Sequence, residues 1–330
     1  MNDEKRTASF QRNTELESLL GQLNNTLSQV ESATEKNYQT KPAFPLIFVM
    51  GAHRCGSTLF MQWLAQTGLF AYPTNLLSRF YKAPLVGAQI QLLLTDPRFN
   101  FRNEILDFTS EVDFRSENGK TQGALAPNEF WYFWRRFLPF DEIEWLSDSK
   151  LHELVDKAAL TSELRGLTRV LAKPFALKSM ILNYNIPFLS SVFPEAIFVQ
   201  IKRDPVANVA SMLEARKRQL GSEKEWYSFK IPEYEILKDM EPVQQVAGQY
   251  YFINKAIRQG ISQVSGDRKL IINYEHFCEH PRLFLEKLSN LTGIDWQAAD
   301  VKHNGFDVTR AGYENPVIEN AIKSFEEIYG

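Results

Sequence analysis

The chain has little cysteine, little net charge and no long apolar run near its start. Its 330 residues include two cysteines, Cys55 and Cys278, which are far apart in sequence and form neither a disulfide framework nor a zinc site. A formal net charge of −3 gives no support for nucleic-acid binding. The first twenty residues are polar and acidic, without an apolar signal core or a spanning segment. We therefore expect a cytoplasmic protein with no nucleic-acid partner and no transmembrane segment.

Aromatic residues are abundant: 24 Phe, 12 Tyr and 6 Trp predict a well-filled core. Hydrophobic residues make up 44% and charged residues 23% of the chain, which is typical of a soluble globular protein. We predict an N-terminal polar helical arm over residues 1–40 and a single α/β domain over residues 41–330.

The arm has a heptad-like pattern. Between about Thr14 and Glu35, leucine and valine recur at alternating spacings of four and three, which predicts one helix with an apolar seam. The seam lasts only about two heptads, fewer than a firm coiled coil needs. Two interpretations stay open, a helix packed on its own body and a homodimer contact. The seam residues are Leu16, Leu20, Leu23, Leu27 and Val30.

Apolar runs alternate with helical patterns along the rest of the chain. The unbroken apolar run Pro45–Met50 predicts a strand buried on both faces, and "AIFVQIK" (Ala196–Lys202) predicts another strand. "TRVLAKPFALKS" and "KLIINYEHF" predict two more strands, and "PVQQVAGQYYFINKAIRQG" predicts a helix that closes on Gly260. This alternation predicts a P-loop-like parallel β-sheet flanked by helices on both faces. Ligands of such sheets bind beyond the carboxyl ends of the strands.

The first predicted strand runs into "GAHRCGSTLF", which matches most of a phosphate-binding loop. Gly51 and Gly56 have the required spacing, and Ser57 and Thr58 follow, but Ser57 stands where a nucleotide triphosphatase has its lysine. Such loops surround an anion with backbone N–H groups at a helix N-terminus. Arg54, inside the loop, supplies a guanidinium that forks onto phosphate oxygens. No second acidic motif for Mg²⁺ follows, so we expect a metal-free ligand without a triphosphate.

A second half-site follows the strand at Ala196–Lys202. Asp204 is well placed as the N-cap of the next helix and Pro205 as its first residue. Arg203 ends the strand, and Ser211 follows two turns into the helix on the same face as Asn208. Arg203 and Ser211 together predict a site for a second phosphate.

These two motifs resemble those of the sulfotransferases that use 3′-phosphoadenosine 5′-phosphosulfate (PAPS). "HRCGSTL" is similar to the 5′-phosphosulfate loop and "RDPVANVAS" to the 3′-phosphate motif, while "INYEHFCEHP" resembles a late segment of the family. The resemblance covers roughly Pro45–Phe70 and Val170–Gly293. It implies a helical acceptor-binding insertion at about residues 71–167, PAPS as co-substrate, adenosine 3′,5′-bisphosphate (PAP) as product, and no metal.

The resemblance also implies donor-binding residues. Arg203 and Ser211 would hold the 3′-phosphate, and Tyr274 would lie near the adenine. The loop would hold the 5′ side, with cofactor-binding residues Gly51, His53, Arg54, Cys55, Gly56, Ser57 and Thr58.

Sulfuryl transfer needs a cation at the leaving oxygen and a base at the acceptor hydroxyl. Arg54 is available on the leaving side. Lys173 and Lys178 both lie where a strand is expected to exit toward the site, and resemblance to the tyrosylprotein enzymes favours Lys173 for the bridging oxygen. The chain is one residue shorter there than the family stretch, with Lys173 directly before Pro174.

For the base, many relatives carry an acid some twenty residues past the loop, but "AYPTNLLSRFYK" contains neither acid nor histidine. The candidate is Glu129 in "GALAPNEFWYFWRRF", where burial beside aromatic rings would raise its pKa. His53 is an alternative base, and Glu104 and Asp113 stay open. The same segment has rings to stack on sugar faces and arginines to meet an anionic acceptor. These are Phe130, Trp131, Phe133, Trp134, Arg135 and Arg136.

The sequence thus predicts a bacterial PAPS-dependent sulfotransferase that sulfates a hydroxyl, with a carbohydrate favoured over protein tyrosine or a small alcohol. Two other functions stay open. One is a P-loop nucleotide-binding or kinase-type protein with a degenerate loop. The other is a non-catalytic PAP-binding protein.

Overall fold

The structure is a computed structural model. It describes residues 6–7, 13–35, 42–100, 116–117, 120–138, 145–294, 303–308 and 314–330. Two of the open candidates for the base, Glu104 and Asp113, lie outside the described residues.

The main sheet has four parallel strands in the described part of the chain, in the order β4-β1-β5-β6. A short antiparallel pair, β2 and β3, stands apart from it. The strands are β1 Leu46–Met50, β2 Ser116–Glu117, β3 Lys120–Thr121, β4 Phe175–Lys178, β5 Ile197–Lys202 and β6 Lys269–Asn273.

Helices precede, separate and follow these strands. Short 3₁₀ turns occur at Leu77–Phe80, Pro97–Phe99, Met180–Leu182 and Gly266–Arg268. The α-helices are α1 Thr14–Glu35, α2 Ser57–Gln66, α3 Pro84–Thr95, α4 Trp131–Phe137, α5 Asp148–Leu154, α6 Lys157–Val170, α7 Ile186–Val192, α8 Pro205–Leu220, α9 Tyr234–Leu237, α10 Pro242–Ser262, α11 Tyr274–Glu279, α12 Pro281–Thr292 and α13 Pro316–Tyr329.

Two apolar clusters cover the two faces of the sheet. All five residues of β1 are fully buried, because successive side chains enter opposite clusters. Phe48 packs against Phe193 and Phe198 on one face, at ring distances of 5.4 and 5.6 Å. Ile47 and Val49 belong to the cluster on the other face. The predicted parallel sheet with helices on both faces is confirmed.

The N-terminal helix packs on its own chain, and its buried stripe differs from the predicted seam. Leu20 is buried, but Leu23 and Val30 are exposed. The next residue after each of them is polar and buried: Asn24 follows Leu23, and Glu31 follows Val30. The seam prediction was therefore wrong at Leu23 and Val30, because the buried stripe passes one residue later, through Asn24 and Glu31.

Asn24 and Glu31 dock α1 through backbone groups. Asn24 donates to the carbonyl of Arg79 at 2.8 Å and accepts from the N–H of Lys82 at 2.8 Å. Glu31 accepts from the N–H groups of Leu85 and Val86, at 2.7 and 3.1 Å, and so caps the first turn of α3. A separate helix thus supplies the cap that α3 lacks in its own sequence.

Some element boundaries differ from those predicted. Helix α10 continues past Gly260, whose missing side chain serves packing: a Cβ there would lie 2.7 Å from Cβ of Ile186. Strand β4 begins only at Phe175, since Val170 still belongs to α6. Strand β6 ends at Asn273, whose side chain caps α11 by accepting from the N–H of His276.

Candidate active site

A cavity of about 1710 Å³ opens at the carboxyl ends of β1, β4 and β5. The chain reaches β4 on one side of β1 and β5 on the other, so the sheet reverses its order here. Parallel sheets bind ligands at such a reversal. The cavity is lined by the loop after β1, by residues of α8 between Ala210 and Leu220, by the segment before α4, and by the first turns of α1.

The loop between β1 and α2 is fixed by close contacts. A Cβ at Gly51 would lie 2.5 Å from Sγ of Cys55 and 3.0 Å from the carbonyl of Ile201. Gly56 has φ 95°, and a Cβ there would lie 2.2 Å from the ring of Tyr274. Both glycines are required. Arg54 also has positive φ, 65°, in the same loop.

Side chains from three other segments hold the loop backbone. Asn183 accepts from the N–H of Gly51 at 3.2 Å and donates to its carbonyl at 2.8 Å. Asn208 donates to the carbonyl of His53 at 2.6 Å, and Arg203 donates to the carbonyl of Arg54 at 3.1 Å. With its carbonyls occupied in this way, the loop leaves N–H groups at the start of α2 for a ligand.

The second half-site is assembled next to the loop. Asp204 caps α8 by accepting from the N–H of Ala207 at 2.8 Å, as the sequence predicted, and Pro205 is the first helical residue. Ser211 accepts from Nε of Arg54 at 3.3 Å. The guanidinium of Arg203 lies 5.0 Å from the ring centroid of Tyr274. All four of Arg54, Arg203, Ser211 and Tyr274 line the cavity.

Lys178 is the lysine that reaches the loop. It is buried at the carboxyl end of β4, and its Nζ donates to Oγ1 of Thr58 at 2.8 Å and to Oε1 of Glu129 at 3.2 Å. Trp134 donates its indole N–H to the carbonyl of Lys178 at 3.1 Å. One ammonium group thus joins Thr58, at the start of α2, to Glu129, the candidate base.

Lys173 lies elsewhere, which corrects the preference for it. It precedes β4 at the amino end of the strand, where Phe175 pairs with Leu46 at the start of β1. Its Nζ donates to the carbonyl of Gly68 at 2.5 Å, and the residue does not line the cavity. Since parallel strands carry ligands at their carboxyl ends, a lysine at the amino end is at the wrong edge.

Glu129 faces the cavity, with 42% of its side-chain surface exposed. Its Oε2 accepts from the indole N–H of Trp131 at 3.0 Å. Desolvation raises the pKa of Glu129, but Lys178 and the hydrogen bond from Trp131 outweigh it, so the net direction is downward. The expectation of a raised pKa was wrong, because the sequence did not place a cation beside this carboxylate.

His53 is held neutral at the other side of the loop. Desolvation lowers the pKa of His53 to about 4, with Glu129 opposing and Arg54 adding to the shift. The ring contacts Phe229, at a centroid distance of 4.9 Å, and Tyr227 at 6.0 Å. Its Nε2 is buried without a hydrogen-bond partner in the described residues, while the ring lines the cavity.

The aromatic residues beside Glu129 divide between core and cavity. Phe130 and Phe133 are buried in the core and do not line the cavity, contrary to the expectation that they stack on sugars. Trp134 is also buried but lines the cavity, as do Trp131 and Tyr132. Of the two arginines, Arg136 is engaged by Glu163 at 2.8 Å and by the carbonyl of Tyr81 at 2.6 Å, whereas Arg135 is exposed and lines the cavity.

Two of the loop residues predicted to bind the donor are not part of the cavity wall. Gly51 is at the base of the loop, and the side chain of Cys55 points into the core, where burial raises the pKa of its thiol. Gly56, Ser57 and Thr58 do line the cavity. Within the described ranges, no group of three or more His, Cys, Asp or Glu side chains is placed to hold a metal ion.

Comparison with known proteins agrees with this architecture. Residues 45–298, more than half of the chain, match the model of the Sulfotransferase family. The chain belongs to this family. It is therefore a sulfotransferase enzyme, and membership implies PAPS as its co-substrate.

Two solved bacterial structures share the fold of this sulfotransferase. Sulfotransferase STF9 from Mycobacterium avium matches with a TM-score of 0.56 and 16% identity, over 90% of this chain and 80% of that one. Sulfotransferase STF1 from Mycobacterium tuberculosis H37Rv matches with a TM-score of 0.55 and 13% identity, over 90% and 81%. Among curated proteins no match was found. In the described part of the sulfotransferase, no helix is long and apolar enough to cross a membrane.

Several cavity residues of this sulfotransferase had no sequence motif to reveal them. Leu16, Glu17 and Leu20 of α1 line the cavity, although α1 lies before the matched residues. Asn183, which does not line the cavity but bonds to both backbone groups of Gly51, also belongs to no recognisable pattern. One sequence feature did point to Lys178 as a site residue, namely its position at the carboxyl end of an apolar run.

Proposed function

We propose that the protein transfers the sulfuryl group of PAPS to a hydroxyl group of a carbohydrate, in the cytoplasm of a bacterium. The observation that carries the proposal is the junction at Lys178. Its Nζ contacts both Thr58 of the phosphate loop and Glu129 of the opposite wall. A cation for the leaving oxygen and a carboxylate for the incoming hydroxyl therefore meet in one cavity.

For donor binding, we assign the two half-sites to the two phosphate ends of PAPS. Gly56, Ser57 and Thr58, with the N–H groups at the start of α2, would bind the 5′-phosphosulfate. Arg203 and Ser211 would bind the 3′-phosphate, and Tyr274 would lie against the adenine. Arg54, which contacts Ser211, bridges the two half-sites. Charge-assisted hydrogen bonds from guanidinium groups suit both phosphates.

For the chemistry, the acceptor oxygen attacks sulfur while Glu129 accepts the hydroxyl proton. The bond between sulfur and the bridging oxygen breaks, and PAP leaves with the electron pair on its 5′-phosphate. Lys178, in place of Lys173, offsets that charge. A lowered pKa keeps Glu129 ionised at neutral pH, as a proton acceptor must be. His53, neutral above about pH 4, is the alternative acceptor.

The breadth and chemistry of the cavity support a carbohydrate acceptor. A volume of about 1710 Å³ exceeds the usual range for one small ligand. On its acceptor side, Trp131 and Tyr132 line the cavity, and aromatic rings of this kind stack on sugar faces. Protein tyrosine and a small alcohol remain the alternative acceptors.

We further propose that residues 71–167 act as the acceptor-binding insertion of a single domain spanning residues 41–330, with residues 1–40 as an arm. Within the arm, α1 contributes Leu16 and Glu17 to the cavity. Exposed Leu19 and Leu23 leave a narrow apolar surface on this helix for a homodimer contact.

Ligand-dependent stability tests the donor assignment. We expect PAP at about 100 times its Kd to stabilise the protein by about 2.7 kcal/mol, without Mg²⁺. ATP and GTP, with or without Mg²⁺, are expected to give smaller shifts in thermal midpoint, because neither carries a 3′-phosphate for Arg203 and Ser211. A Mg²⁺-dependent preference for ATP would contradict the proposal and favour a kinase-type protein.

The same preparation tests the base, with labelled PAPS and a panel of glycans, a tyrosine peptide and simple alcohols. Glu129→Gln is expected to lower transfer by about 10²–10⁴-fold while PAP stabilisation stays unchanged. Near-normal turnover would remove Glu129 as the base. Absence of transfer to every acceptor by a wild-type protein that binds PAP would favour a non-catalytic PAP-binding role.

A further inference from the structure

Two arginines on the acceptor side of the cavity have no side-chain partner. Arg79, in the 3₁₀ turn Leu77–Phe80, and Arg135, in α4, are exposed and line the cavity. Within the described residues, neither guanidinium makes a hydrogen bond or an ion pair. Other arginines of this chain are paired with carboxylates: Arg136 with Glu163 and Arg165 with Glu195, each at 2.8 Å.

The two arginines lie on elements that are fastened to each other. Tyr81, just after the 3₁₀ turn, stacks on Tyr132 of α4 with ring centroids 5.3 Å apart. Arg136 donates to the carbonyl of Tyr81 at 2.6 Å. The nearby carboxylate of Glu17, on α1, already accepts from the hydroxyl of Tyr132. The turn and α4 therefore present two guanidinium groups to one wall of the cavity.

These cations are separate from those assigned to the donor. Arg54 and Arg203 lie at the loop and the start of α8, and Lys178 lies at the end of β4. Arg79 and Arg135 belong instead to the 3₁₀ turn Leu77–Phe80 and to α4, the helix that follows Glu129, the residue that the acceptor must approach. Two unpaired guanidinium groups there raise the local potential and attract an anionic ligand.

We propose that the acceptor is an acidic glycan, carrying a carboxylate or a sulfate ester in addition to the hydroxyl that is sulfated, and that Arg79 and Arg135 bind this anionic group. Planar guanidinium groups match the two-oxygen edge of carboxylate and sulfate and form charge-assisted hydrogen bonds with it. The inference rests on the proposed function, since it assumes that this wall receives the acceptor.

Binding of two matched oligosaccharides to the PAP complex tests the proposal. The probes are a β-1,4-linked glucose tetramer and a β-1,4-linked glucuronate tetramer, which differ at C6 only. We expect wild type to bind the glucuronate tetramer more tightly, by about tenfold for each arginine that contacts it. Raising the ionic strength from 0.05 to 0.5 M is expected to weaken that binding selectively, because salt screens exposed charges.

Substitutions test whether Arg79 and Arg135, and not other arginines of the protein, cause the preference for glucuronate. Arg79→Gln with Arg135→Gln is expected to abolish the preference for glucuronate, while stabilisation by PAP stays at the wild-type level. Arg258→Gln, an exposed arginine of α10 away from the cavity, is the matched control and is expected to keep the preference. Equal affinity for both tetramers, no binding of either, or a preference that survives the double substitution would overturn the proposal. Failure of the donor assignment would show separately, as loss of stabilisation by PAP.

Discussion

At the scale of single residues, Lys178 and Lys173 are a natural pair for comparison, because Lys178 ends the short strand β4 and Lys173 precedes it. Lys178 is buried and contacts Thr58 and Glu129, whereas Lys173 contacts only the carbonyl of Gly68 among the described hydrogen bonds. Methionine has a similar length and no charge. We expect Lys178→Met to lower kcat by about 10²–10³-fold, the typical loss when one positioned charge-stabilising group is removed.

Lys173→Met is the control for this prediction. It removes a lysine that precedes β4, at the opposite edge of the sheet, so we expect kcat within about twofold of wild type and an unfolding free energy changed by about 0.5 kcal/mol or less. Steady-state transfer from labelled PAPS and urea unfolding measure the two quantities. The reverse order of losses would restore Lys173 as the leaving-group cation.

Residues whose roles depend on backbone geometry were predictable from sequence, and those that depend on distant partners were not. The glycines at positions 51 and 56 and the cap at Asp204 follow from local rules, and the structure has them where expected. The pKa of Glu129 was predicted in the wrong direction, because Lys178, 49 residues away in sequence, sets it. Local patterns contain no information on such contacts.

At the scale of elements, α1 shows how a helix can be docked through polar side chains. Asn24 is fully buried and bonds to backbone groups of Arg79 and Lys82, next to the turn that presents Arg79 to the cavity. Leu23, its neighbour in sequence, is exposed. The polar contact, and not the leucine seam, therefore holds this part of α1 in place.

Adjacent alanine substitutions distinguish the two faces of α1. Asn24→Ala leaves a carbonyl and an N–H without partners, so we expect a loss of about 1–3 kcal/mol in unfolding free energy. Leu23→Ala is expected to cost about 0.5 kcal/mol or less. Urea unfolding measures both, and sedimentation at micromolar concentration reports the oligomer. If Leu23→Ala were the costlier change and dissociated a dimer, the seam would be an interface.

The boundaries of strands and helices were predicted best where a clear sequence feature marks them. Strands β1 and β5 and helix α8 agree closely with the sequence expectation, since an apolar run or an N-cap with proline marks each end. Strand β4 was predicted too early because Val170 continues an apolar pattern that belongs to α6. Helix α10 was predicted to stop at Gly260, a residue that the packing of Ile186 requires inside the helix.

At the scale of the whole molecule, net charge is small and overall repulsion contributes little to the pH dependence of stability. Individual groups with shifted pKa values then dominate. His53 is one, because desolvation lowers its pKa from 6.5 to about 4 in the folded state. Between these values the unfolded chain binds a proton that the folded protein does not. Stability therefore falls as pH falls through this window, and the effect levels off below pH 4.

Global unfolding measured between pH 7 and pH 5 tests this consequence. We expect the His53 contribution to lower the unfolding free energy of wild type by about 2 kcal/mol over that interval. His53→Asn has no group that titrates there and is expected to lose about 2 kcal/mol less. Glu129 does not interfere with this measurement. Its lowered pKa means that the ionised carboxylate stabilises the folded protein, and this contribution is lost only as pH falls below the ordinary pKa of 4.5. Parallel pH profiles for the two proteins would show that the pKa of His53 is the same in the folded and unfolded states, which would contradict its assignment as a group kept neutral by burial.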